Sequence, residues 1–170
     1  MARLVGRYWA NISAAQPSSP AAEHQVLQAV QAGGVHLSQG QADQLGSDTV
    51  TAEEVTAALK HSAPGKAPGL DGLPVDLYRK CSDLLAPVLA RVYTAIGQLG
   101  EAPQGFLDGL VVTLHKTGPK TLPVNYRPIT LLNADYRILA KLMAVRLRAV
   151  QGSLISPEQT GFLPGRHIGE

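Results

Sequence analysis

The 170-residue chain has one cysteine, Cys81, one tryptophan and two phenylalanines, and only 16% of its residues are charged. A single cysteine excludes a disulfide framework and any paired-cysteine zinc site, so nothing in the sequence requires an oxidising compartment. Cys81 itself reads as a buried helical residue. Long apolar runs are missing as well: none approaches the ~18 residues needed to span a bilayer, which predicts a soluble intracellular chain, nuclear or cytoplasmic, with no membrane partner. Residues 1–22, "MARLVGRYWANISAAQPSSPAA", carry two arginines and no acid, a loose match to an organelle transit peptide, but they read better as a frayed, alanine-rich tail. A secretory signal is excluded because Asn11, Ser13, Gln16 and Pro17 interrupt the stretch where a continuous hydrophobic segment is needed.

Catalytic signatures are equally scarce. A Walker-type loop needs GxxxxGK followed by Ser or Thr, and neither "APGKAPG" nor "TGPKT" has that spacing; GxGxxG and GxSxG are absent. The five histidines, at 24, 36, 61, 115 and 167, form no HExxH pair and are not spaced with Cys81 as metal ligands, so they read as surface or cap residues. Asp43, Asp48, Asp71, Asp76, Asp83, Asp108 and Asp135 are scattered, with no adjacent pair after a strand. A two-metal site holds its ions about 4 Å apart and needs converging carboxylates, which this sequence does not supply. No catalytic and no metal-binding residue is assigned, and no solenoid-type repeat is present. On composition and motifs alone the chain is a phosphate binder rather than a catalyst.

What is present begins with hydrophobic content: 45% supports a core for one domain with an appendage. Charge is unevenly spread. Residues 1–60 carry three basic and five acidic groups, residues 61–109 four and five, and residues 110–170 eight and three. A basic last third set against a neutral remainder is the electrostatic footprint of a phosphate-rich partner, or a merely solvated face. The segment "APGKAPGLDGLP", residues 63–74, alternates Pro, which fixes φ, with Gly, which frees it, and so predicts a stiff loop with exposed amides.

The periodicity predicts an α+β fold, mostly helical with one short hairpin. "AQPSSPAA" (15–22) reads as linker and "EHQVLQAVQAGG" as a short helix stopped by Gly33 and Gly34. Thr51 with Glu54 makes a capping box for a helix ended by Pro64, with Val55, Ala58 and Leu59 as its apolar stripe. "PVDLYRKC" and a helix from about Leu84 to Leu99, closed by Gly100, come next; Pro87 is expected in its first turn or at a kink. "LVVTLHK" (110–116) and "YRPITLL" read as strands able to pair across "TGPKTLPVN". The longest helix is predicted from Asn133 as N-cap to about Val150, ended by Gly152, with Arg137, Lys141 and Arg148 as a basic stripe opposite a broad apolar arc. Arg146 falls inside that arc and needs a partner or a route to water; Asp71 is the expected partner.

Taken in order, "APGKAPGLDGLPVDLYRK", "LVVTLHKTGPKTLPVNYRPITLLNADYRILAKLMAVRL" and "QTGFLPGR" resemble the front part of a reverse transcriptase of the non-LTR (LINE-type) retrotransposon family. The resemblance covers roughly residues 51–168; residues 1–50 look like a variable spacer, partly helical or disordered, and 51–170 like a partial reverse transcriptase domain. It implies the fingers subdomain of a right-hand polymerase, with palm and thumb absent. It further implies that Lys116 and Arg127 contact the triphosphate of the incoming deoxynucleotide, and that Lys66, Gln159 and Arg166 face nucleic acid, an RNA template with its DNA primer; the stripe of Arg137, Lys141 and Arg148, read from helical periodicity, is expected to face the same partner. Phe162 reads as a core anchor. The chain stops at Glu170 without a "YADD"-like block, so the two magnesium ions of polymerisation are expected only in a complete enzyme and the isolated chain is expected to be inactive. A standalone nucleic-acid-binding module and an organellar intron-type maturase fragment are the alternatives.

Overall fold

Thr51 and Glu54 cap one another's backbone in the computed structural model, which describes residues 2–14, 19–33, 36–156, 158–161, 163 and 165. The Thr51 side chain accepts from Glu54 N–H and the Glu54 carboxylate accepts from Thr51 N–H, starting the helix Ala52–Lys60. In chain order the described helices are α1 (Ala2–Ile12), α2 (Pro20–Ala32), α3 (Gln39–Gly46), α4 (Ala52–Lys60), α5 (Val75–Lys80), α6 (Ser82–Leu99) and α7 (Ala134–Leu154). Strands β1 (Gly109–His115) and β2 (Tyr126–Leu132) form the one sheet among the described residues, an antiparallel pair. The chain divides into two units, residues 1–18 with 48–142 and residues 19–47 with 143–170.

The first unit is built on α4, α5, α6 and the start of α7. Val55, Ala58 and Leu59 of α4 are buried with Val75 and Tyr78 of α5, with Ala86, Leu89, Ala90 and Tyr93 of α6, and with Ala134, Ile138 and Leu142 of α7. Tyr93, Phe106 and Tyr136 stack edge to face in succession, with ring centroids 6.5 and 5.7 Å apart. Segment 48–50 is tied to α6: Thr94 Oγ1 accepts from Val50 N–H at 2.9 Å and donates to Val50 C=O at 3.3 Å. Gly97 allows that approach, since a Cβ there would lie 2.9 Å from the Asp48 carbonyl oxygen. Gly100 closes α6 in the left-handed region, φ 69°, as its sequence position predicts. Pro87 falls in the second turn of α6 rather than the first.

Residues 2–12 are a helix, not a frayed tail, because Val5, Tyr8, Trp9 and Ile12 recur at helical spacing. Val5 is buried, and Trp9, Gly6, Val111, Thr113, Pro128 and Thr130 line an apolar cleft of about 770 Å³ between α1 and the hairpin.

In the second unit α2 begins at Pro20, three residues before the predicted start. Ser19 and Pro20, read as linker, are an N-cap and a first helical residue: the Ser19 hydroxyl accepts from Ala22 N–H. α3 was not predicted, although Ser38 and Gln41 carry the same reciprocal capping signature as Thr51 and Glu54. Helix α7 continues through Gly152 to Leu154, since a lone glycine costs a helix only about 1 kcal/mol and does not by itself end it. Gln41 Nε2 donates to Ser153 Oγ, and Arg146, 6% exposed, donates from Nη1 to the Ser47 carbonyl. The buried guanidinium thus has the partner it requires, but a backbone carbonyl fills the place expected for Asp71, which instead accepts from Leu73 N–H.

Candidate nucleic-acid interface

The β1–β2 ribbon fixes the relation between Lys116 and Arg127. Leu114 stands opposite Arg127 and His115 opposite Tyr126, and a further ladder bond, Lys116 N–H to Asn125 C=O at 2.8 Å, places Lys116 opposite Asn125. Side chains alternate along each strand, so Leu114, Lys116, Asn125 and Arg127 share one face, with Lys116 and Arg127 as diagonal neighbours, a spacing of about 7–8 Å in a regular ribbon. Both are exposed.

The tip that carries them is braced by its own side chains. His115 Nε2 donates to the Gly118 carbonyl at 2.9 Å and its ring lies edge-on to Tyr126, centroids 5.3 Å apart. Tyr126 Oη donates to Lys120 C=O and Asn125 Nδ2 to Pro119 C=O. Gly118 takes the left-handed conformation, φ 81°, and a Cβ on it would meet Asn125 Nδ2 at 2.7 Å. Three side chains and one turn glycine therefore hold residues 115–126, and no acid occurs between Asp108 and Asp135. The result is a rigid, exposed, purely cationic tip bearing Lys116, Lys120 and Arg127.

The proline- and glycine-rich loop is also fixed, though differently from the sequence reading. Its Gly65 amide is not open to a phosphate, because it donates to the Asp76 carboxylate at 2.9 Å. Gly69 packs against the start of α7, and Asp71 N–H donates to Asn133 Oδ1 at 3.3 Å. Lys66, exposed, lies on the span between these anchors. Asn133 is therefore engaged with the loop ahead of it, while its carbonyl accepts from Arg137 N–H in α7.

Asp71 in the loop and Asp135 in the first turn of α7 interact electrostatically. Burial pushes the Asp135 carboxyl above the usual aspartate range, against the lowering effect of the Tyr136 N–H it accepts, and the Asp71 charge adds to the rise. Burial likewise raises Tyr93 and Tyr78, each with Asp135 as a second cause.

The remaining basic and polar candidates are spread out. Arg137 is half-buried, with Nε and Nη2 enclosed and without a hydrogen-bond partner; Lys141 is half-buried and Arg148 exposed. Gln159 is exposed and donates from Nε2 to Gly161 C=O, a backbone bond. Arg166 and Phe162 lie outside the described residues. Among the described residues no group of three or more His, Cys, Asp or Glu side chains could hold a metal ion. Among them too, no helix is long and apolar enough to cross a membrane. The braces at Asn125, His115 and Tyr126, and the roles of Asn133 and Asp76, have no signature in one sequence.

No protein-family model matches the chain. It is 37% identical over 119 residues to a 149 kDa protein of transposon TX1 from Xenopus laevis, covering 70% of this chain and 9% of that protein. It is 30% identical over 126 residues, 74% of this chain and 13% of the relative, to the RNA-directed DNA polymerase from mobile element jockey of Drosophila funebris. A third match, 31% identical over 114 residues, is to the Pol polyprotein from retrotransposable element R2 of Popillia japonica, covering 66% of this chain and 15% of that polyprotein. The chain is related to non-LTR retrotransposon RNA-directed DNA polymerases. The relation is distant, extends over about 70% of the chain, and spans about a tenth of the length of these relatives.

Proposed function

We propose that this chain serves as the fingers part of a retrotransposon reverse transcriptase, binding RNA template and the triphosphate of the incoming deoxynucleotide. The observation that carries the reading is the ribbon register, which sets Lys116 and Arg127 on one face of a braced, acid-free tip. The two cations are not equivalent. Arg127 offers a planar fork suited to bidentate contact with phosphate oxygens, and Lys116 a point charge beside it. Lys66 on its anchored loop and Arg148 on α7 add phosphate contacts along the template; Gln159 and Arg166 are assigned to the same nucleic acid by the family resemblance, and Arg137 and Lys141 by their place on the basic stripe of α7. Catalysis belongs to a complete enzyme with its magnesium ions.

Binding of fluorescently labelled single-stranded RNA to the 170-residue chain, followed by anisotropy over a salt series, tests the reading. The logarithm of the affinity is expected to fall linearly with log salt, by about 0.7 in slope per phosphate contact on a single strand. Arg127→Ala is expected to weaken binding of deoxynucleoside triphosphate more than Arg148→Ala. Salt-independent RNA affinity, or equal effects of the two substitutions, would contradict it.

A further inference from the structure

We infer that Asn133 is a positioning residue, a latch that holds the Lys66 loop at a fixed distance from the ribbon; its role toward RNA rests on the function proposed above. Asn133 sits at the one-residue junction between β2, which ends at Leu132, and α7, which begins at Ala134. Its side-chain oxygen accepts the Asp71 amide, and the loop backbone presses on it so closely that a Cβ on Gly69 would lie 2.2 Å from Asn133 Oδ1, 2.4 Å from Asn133 N and 2.6 Å from Leu132 C. Gly69 is glycine for space alone, since its φ is not in the left-handed region.

The loop is stiffened around this contact. Asp71 Oδ1 accepts from Leu73 N–H at 3.0 Å, and Gly72 N–H donates to Gly69 C=O. The second anchor, Gly65 N–H to Asp76 Oδ2, lies four residues earlier. Lys66 is thereby suspended between two ties, one to α5 through Asp76 and one to the ribbon's exit through Asn133. Displacement of the loop as a whole relative to Arg127 strains the Asn133 tie, because Asn133 is joined covalently to the strand that carries Arg127. The latch converts two separate cationic elements into one surface of set spacing, which is what a phosphate chain of regular repeat selects for.

The test combines amide hydrogen exchange with the salt-titrated RNA assay on the full chain, with exchange along α6 as the control that the core remains folded. Asn133→Ala is expected to speed exchange at Asp71 and to make the salt slope shallower by about 0.7, the value for one phosphate contact. Lys66→Ala should give the same slope, and the double substitution should be no weaker than Lys66→Ala alone. Asn133→Asp keeps the acceptor oxygen and should restore protection at Asp71. Gly69→Ala should loosen the loop even beside a truncated Asn133, because two of the three atoms its Cβ meets are backbone. Unchanged exchange at Asp71 in Asn133→Ala overturns the latch; additive losses in the double substitution overturn its action through Lys66. If the unaltered chain fails to bind RNA, the proposed function and the role of Lys66 fall together, while the exchange result still decides the latch.

Discussion

Asp135 opens α7 with its carboxyl raised above the usual range mainly by burial, so its ionisation opposes folding. A raised folded-state value contributes stability that is fully present below the unfolded-state value and is lost as pH rises through the folded-state one. Asp135→Asn is therefore expected to raise the unfolding temperature at pH 7 and to leave it nearly unchanged near pH 3, where the native carboxyl is already protonated; a gain of equal size at both values would contradict the assignment. Tyr93 works from the other side of the same corner. Its hydroxyl donates to the Asp135 carbonyl at 2.7 Å, and Tyr93→Phe should cost about 1 kcal/mol in urea unfolding, the usual net worth of such a bond. At the ribbon tip, Arg127→Lys keeps the charge but not the fork. It should recover little of the triphosphate binding lost in Arg127→Ala, whereas full recovery would mean that charge alone matters.

At the scale of elements, the segment 48–50 provides a test of how α6 is clamped. Thr94→Val removes the acceptor of the Val50 amide from a part-buried site and should cost about 1–3 kcal/mol, measured as a shift in the urea midpoint at constant slope. The same elements show which features a single sequence discloses. The Thr51–Glu54 box, the Gly100 stop and the two strands were legible because each is a local signal in which residue type dictates backbone geometry. The starts of α2 and α3 carried equally local cap signals at Ser19–Pro20 and Ser38–Gln41, which were passed over beside a polar, proline-rich stretch. The exit of α7 was misplaced because Gly152 does not take the left-handed turn that makes a glycine a terminator. Long-range ties were not legible. Gly69 against Asn133, Gly65 to Asp76 and Arg146 to Ser47 join residues 64, 11 and 99 positions apart, and no local pattern encodes them. The pairing of the two strands was legible, but the register that puts Lys116 and Arg127 on one face and the braces from His115, Tyr126 and Asn125 needed the fold.

At the scale of the whole molecule, the charge asymmetry of the sequence acquires an address. The last third's eight basic groups against three acidic ones include Lys116, Lys120 and Arg127 at an exposed tip, whereas Asp71, in the loop, and Asp135, in the first turn of α7, repel one another. Relation to retrotransposon polymerases and a cationic ribbon are the two observations on which the proposed phosphate recognition rests. The most direct measurement is a titration of the chain with deoxynucleoside triphosphate, followed through the NMR signals of Lys116 Nζ and Arg127 Nε. Both are predicted to shift along one common saturation curve, because one phosphate group bridges them. Movement of only one signal, or two curves with separate midpoints, would show that the two cations do not form a shared grip.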